Sequence, residues 1–107
     1  MNPDELLAGL VEVLHRIRAL LPEVKAAWDE DEVLRLAVER LWITAGNVAE
    51  EYRLGIGSEK GAEPWAELTN FRNRLAHALP GQIVPDRVWD ESHIDLNRLL
   101  SEVEAHR

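Results

Sequence analysis

Cysteine is absent from the 107 residues, which removes disulfides, thiolate metal sites and a cysteine nucleophile together. Basic residues are scarce: twelve Lys and Arg stand against twenty Asp and Glu, a formal net charge of −8. A protein that holds nucleic acid regardless of its sequence normally presents a broad basic surface, so the charge argues against that class. It does not argue against a small arginine cluster around a cleft. No run approaches the ~18 apolar residues of a membrane-spanning helix. Met1 to Leu10 has no basic stretch ahead of an apolar one, as a secretory signal would, so a cytoplasmic protein without membrane contact is expected. Sustained alternation of apolar and polar residues is missing as well, which argues against strands. Internal repeats are not visible. What is there is a hydrophobic fraction of 46 %, enough for one modest core, and a single domain over residues 1–107 is expected.

The apolar spacing reads as four helices. The first has Asn2 as N-cap, Pro3 at its first position and Asp4 and Glu5 in its opening turn, all of which suit a helix start. Leu6, Leu10, Val13, Ile17 and Leu20 form its stripe, and it ends around Leu21-Pro22. The second, capped by Asp29 or Asp31, runs to about Tyr52 through Leu34, Ala37, Val38, Leu41, Ala45, Val48 and Ala49. Gly46 lies in its middle, where glycine costs ~1 kcal/mol against alanine, and its presence predicts close approach of another backbone. Residues 53–62 hold Gly55, Gly57, Ser58 and Gly61 and read as a loop; they lack the Lys-Ser/Thr ending of a phosphate loop. A third helix starts near Pro64 and stops before Pro80-Gly81. The last follows Pro85, with Val88, Trp89, Leu96, Leu99, Leu100 and Val103 as core candidates. The expected fold is all-α, an up-and-down antiparallel bundle of four main helices.

The segment from Phe71 to Leu79 is the most informative. At ~100° per residue, with Phe71 at zero, Leu75, Leu68 and Trp65 define an apolar face and Arg72 falls inside it, near ~100°. Asn73 and His77 fall together on the polar flank. A guanidinium turned toward apolar neighbours needs hydrogen bonds to offset its desolvation. Histidine titrates nearest neutrality and serves as a general acid or base, while arginine offers a planar fork for two phosphate oxygens. Together Arg72 and His77 suit attack of an RNA 2′-hydroxyl on the neighbouring phosphate, with Asn73 orienting the imidazole or bonding substrate and Arg74 assisting in substrate binding. One histidine supplies half of acid–base catalysis. Two copies across a two-fold axis would supply the rest, and a homodimer is therefore expected. The four histidines (His15, His77, His93 and His106) show no spacing with carboxylates that marks a metal site, so no metal or cofactor is expected. The plainer alternative is structural: Arg72 paired with Glu39 or Glu50, and His77 complementing the helix dipole.

The run Phe71-Arg72-Asn73-Arg74-Leu75-Ala76-His77 resembles the arginine, four residues, histidine signature of HEPN domains, in particular the HepT-like branch. Arg35 to Gly46, Pro64-Trp65 and Arg87 to Asp90 are similar to flanking positions of that branch, in order. The resemblance implies an all-helical homodimer with Arg72 and His77 lining a cleft between subunits. It also implies metal-independent cleavage of RNA, and a role as the toxin of a toxin–antitoxin pair whose antitoxin is a minimal nucleotidyltransferase. In that branch the partner transfers AMP to a tyrosine two positions after the histidine. Here that position is Leu79, which has no acceptor hydroxyl. The glutamate that commonly follows the second-helix glycine is replaced by Asn47. Two other readings stand beside the toxin: a non-catalytic adaptor that binds nucleotide or substrate for a nucleotidyltransferase, and a structural dimer with a vestigial site.

Overall fold

Asn2 opens the first helix, α1 (Pro3–Leu20), by accepting the Glu5 N–H at 2.9 Å on its side chain. In the computed structural model, which describes residues 1–79 and 81–107, four further helices follow: α2 (Lys25–Asp29), α3 (Glu32–Gly55), α4 (Trp65–Ala76) and α5 (Pro85–Glu104). No strand occurs among the described residues. The all-α expectation therefore holds, with five helices in place of four.

The additional helix is α2, and tertiary contacts explain it. Five residues are too few to sustain a helix alone. Trp28 is fully buried, donates its indole N–H to the Pro85 carbonyl at 3.2 Å and packs against Trp89. Lys25 binds Asp29 within α2 and Asp86 on α5. Of the two aspartates proposed to start the long helix, Asp31 does so, accepting the Leu34 N–H at 3.0 Å, while Asp29 ends α2.

Residues 53–55, expected in a loop, belong instead to α3. The guanidinium of Arg53 is anchored to Glu50 one turn back and to the Ser58 carbonyl ahead, which carries the helix three residues further. The chain then turns at Gly57, whose φ of 69° suits glycine. Downstream, α4 stops at Ala76; the expected breaker Pro80 lies outside the described residues.

The core lies where α3 packs on α1 and α4, and α1 on α5. Trp42 of α3 is its centre: buried, packed at a tilt against Phe71 of α4 with ring centres 4.7 Å apart, and bonded through Nε1 to the buried Ser92 hydroxyl of α5 at 2.9 Å. The expected stripe of α1 is wider than its 3–4 spacing suggested. Leu7, Val11 and Leu14 are buried too, because α1 is covered by both α3 and α5, whereas Leu20 at its end is exposed. Contacts such as Trp42 with Phe71 and Tyr52 with Trp65 show that α3 and α4 run antiparallel. Between α4 and α5 there is no comparable backbone approach. Long ion pairs span them, Arg74 to Glu91 near one end and Arg98 to Glu67 near the other. That wider spacing is what leaves room for a cavity.

Candidate active site

The motif occupies the last turns of α4. Trp65, Leu68, Phe71 and Leu75 are buried and fix the rotation of the helix, as the spacing predicts, whereas Arg72, expected inside that face, is only half-buried. What seats it is Gly46. A Cβ at position 46 would meet the Cβ of Arg72 and stand 2.7 Å from the Leu68 carbonyl oxygen, so only glycine lets α3 and α4 come this close. The close approach predicted for Gly46 is therefore satisfied within one chain, and Gly46 is not available as a dimer contact.

The same contact brings Asn47, the next residue, onto the guanidinium. Arg72 Nη1 donates to Asn47 Oδ1 at 3.2 Å, and its Nε and Nη2 donate to Asn73 Oδ1 at 3.0 and 2.7 Å. Three of the five guanidinium N–H groups are thus satisfied by neutral amides. Neither proposed carboxylate partner is engaged. Glu50 binds Arg53 at 2.7 Å, which holds its carboxyl below the usual range. Glu39 sits above that range because of burial, with Arg35 as its opposing charge. Among the described residues Arg72 makes no ion pair.

Asn73 therefore orients Arg72, and its amide oxygen is not on the imidazole. His77 is the C-cap of α4, its backbone N–H bonded to the Asn73 carbonyl at 3.1 Å, and its ring is exposed. It lines a cavity of about 320 Å³ between the end of α4 and the start of α5, which Asn73 also lines but Arg72 does not. Within one chain, then, the two motif groups flank Asn73 and face different neighbours, α3 for Arg72 and α5 for His77.

Arg74 is committed elsewhere. Its two terminal nitrogens bind the two oxygens of Glu91 at 2.8 and 2.7 Å, and its guanidinium lies 4.9 Å from the centre of the Phe71 ring. Arg87 donates from Nε to the same carboxylate at 2.7 Å. Bonding to Arg74 first and Arg87 second keeps the Glu91 carboxyl below its usual range, against the opposing effect of burial. Arg87 and Glu91 carry little local signal of this arrangement in the sequence. Their four-residue spacing signals a helical ion pair, but nothing local announces that Arg74, on another helix, shares the carboxylate. Leu79 is exposed, with its backbone N–H held by the Gln82 side chain. No group of three His, Asp or Glu side chains converges as a metal site among the described residues, and no helix described is long and apolar enough to cross a membrane.

A family model described as Ribonuclease HepT-like matches residues 10–106, nearly the whole chain. The chain belongs to the HepT-like ribonuclease family of HEPN type. No curated protein and no solved structure matches it.

Proposed function

We propose that this chain is a metal-independent endoribonuclease acting as the toxin of a toxin–antitoxin pair. In this reading its four long helices are arranged up-and-down in a single domain, and two chains associate so that two motifs share one cleft. Family membership supports ribonuclease chemistry and an RNA substrate. The observation that carries the site assignment is the state of Arg72: half-buried, oriented by the amides of Asn47 and Asn73, and in direct ion-pair contact with no carboxylate among the described residues, Glu50 feeling its charge only from a distance. A structural arginine in this acidic chain looks different, as Arg53 on Glu50 shows.

The reaction follows from those groups. The 2′-oxygen attacks the adjacent phosphorus as His77 takes its proton, and Arg72 stabilises the charge that gathers on the phosphate oxygens. The bond to the 5′-oxygen breaks, and that oxygen leaves with a proton from the second copy of the motif. The products are a 2′,3′-cyclic phosphate and a 5′-hydroxyl. The partner is a minimal nucleotidyltransferase antitoxin, which finds no acceptor hydroxyl at Leu79. The second reading, an adaptor that binds nucleotide without cutting RNA, uses the same Arg72 and His77.

Purified chain is expected to cut RNA in excess EDTA, to leave DNA intact because the attacking hydroxyl is missing, and to sediment as a dimer of the 12.2 kDa chain. His77→Ala should slow cleavage by ~10²-fold or more, the scale of general acid–base catalysis. Arg72→Ala should do similar damage, with little rescue by Arg72→Lys, which lacks the fork. A folded His77→Ala chain that cuts as fast as the parent would hand the case to the adaptor.

A further inference from the structure

We infer that the cavity between α4 and α5 is a nucleotide subsite for the RNA strand, in which Arg87 binds a phosphate and Ile83, Val84 and Val88 receive the base. This deepens the ribonuclease reading and rests on it. Three observations point this way. First, the cavity has the size for a single nucleotide. At about 320 Å³ it lies at the low end of ligand sites, which run to ~300–1,000 Å³. Second, its lining is chemically mixed. Phe71, Ile83, Val84 and Val88 are apolar, while Arg87, Gln82, His77 and Glu91 are polar or charged. That mixture suits a flat, largely apolar base attached to an anion. Third, the charge balance is positive in a chain that is negative overall. Arg74 and Arg87 share the single carboxylate of Glu91, so the trio keeps one net positive charge.

The geometry also selects which arginine meets the ligand. Arg74 has both terminal nitrogens on Glu91 and its face near Phe71, and so serves to hold Glu91 in place. Arg87 uses Nε alone for that carboxylate, and its side chain is 66 % exposed. Its two terminal nitrogens have no partner among the described residues, and they form the fork that matches two phosphate oxygens. The role in substrate binding expected of Arg74 thus passes to Arg87. With His77 on the same wall, a nucleotide seated here lies directly beside the group that moves the proton.

The test pairs binding with kinetics. Each of the four nucleoside 3′-monophosphates is titrated into the full chain while methyl NMR signals of Ile83, Val84 and Val88 are followed, and a short single-stranded RNA is used for steady-state cleavage. Two variants are compared: Arg87→Ala and Val84→Asp. Val84 is the N-cap of α5 and is exposed, so aspartate there improves the helix cap while setting a negative charge at the cavity rim. Expected are shifts at those methyls, weakened about tenfold in either variant, with KM for RNA raised about tenfold and kcat within about twofold; a charge-assisted fork is worth that much. Unchanged KM and mononucleotide affinity in Arg87→Ala overturns the subsite, as does RNA cleavage by a parent chain whose methyls never shift. In both cases the ribonuclease reading survives. Shifts that disappear in Arg87→Ala, in a chain that cuts no RNA, would keep the pocket and overturn the ribonuclease reading instead.

Discussion

The two flanks of α4 are built to opposite specifications. Toward α3 the helices touch backbone to backbone at Gly46, and Trp42, Phe71, Tyr52 and Trp65 interlock around the contact. Toward α5 the helices stand apart, bridged by Arg74–Glu91 and Arg98–Glu67 with a cavity between. The tight flank fixes Arg72 and the open flank exposes His77. One helix thus gives its arginine a rigid seat and its histidine access to a ligand. The difference shows how close packing and solvent access can be separated on one element by about one helical turn.

The tight flank should break hardest. Gly46→Val forces a side chain against the Arg72 Cβ and the Leu68 carbonyl oxygen, and a carbonyl in a helix cannot yield without moving α4. A loss of about 3 kcal/mol in urea unfolding is expected, the upper range for overpacking, together with loss of cleavage as Arg72 shifts. Parent-like unfolding would mean that α3 and α4 do not meet at Gly46. Sharper, and smaller, is Asn73→Ala. It removes the acceptor of two Arg72 donors but leaves a better helix former in place, so stability should hold or rise by a few tenths of a kcal/mol. Cleavage should fall about tenfold or more, the scale of losing charge-assisted hydrogen bonds to the guanidinium. Should activity and stability fall in proportion, Asn73 is structural.

The open flank should respond least. Arg74→Ala opens an ion pair in which the arginine is nearly half exposed, and about 1 kcal/mol or less is expected at neutral pH. Its signature is the pH dependence. Because the Glu91 carboxyl is held below its usual 4.5 in the folded chain, the stability it contributes is present above that value. It is lost as pH falls through the lower, folded value. Arg74→Ala should therefore flatten part of the acid limb of the stability curve. Part remains, since Arg87 still holds Glu91. An unaltered acid limb would show that this pair does not couple to folding.

Much of this was readable from the chain because it is written locally. Helix periods, the Asn2 cap, the prolines and the buried face of α4 all depend on neighbours within a turn or two. Gly46 was readable as a close approach, but not which helix would fill it. Two features escaped because distant residues create them: helix α2 depends on Trp28 reaching Pro85, and the commitment of Arg74 on Glu91 across seventeen positions. The last turn of α3 is local but rests on Arg53 reaching the Ser58 carbonyl, a side-chain bond that apolar spacing does not reveal. On the helical wheel Asn73 falls beside His77, yet its amide goes to Arg72, since a side chain one position away can fold back along the surface to a charged donor. Wheel angles locate side chains without saying which of several reachable partners wins.

The short helix α2 carries one more consequence. Its Trp28 holds the Pro85 carbonyl and its Lys25 holds Asp86, so α2 grips the first turn of α5 at the two residues immediately before Arg87. A segment remote from the motif helix thereby sets the position of the cavity's far wall. Thermodynamic linkage makes that influence mutual. Whatever loosens α2 from α5 weakens a ligand in the cavity, and a ligand in the cavity tightens α2 by the same factor.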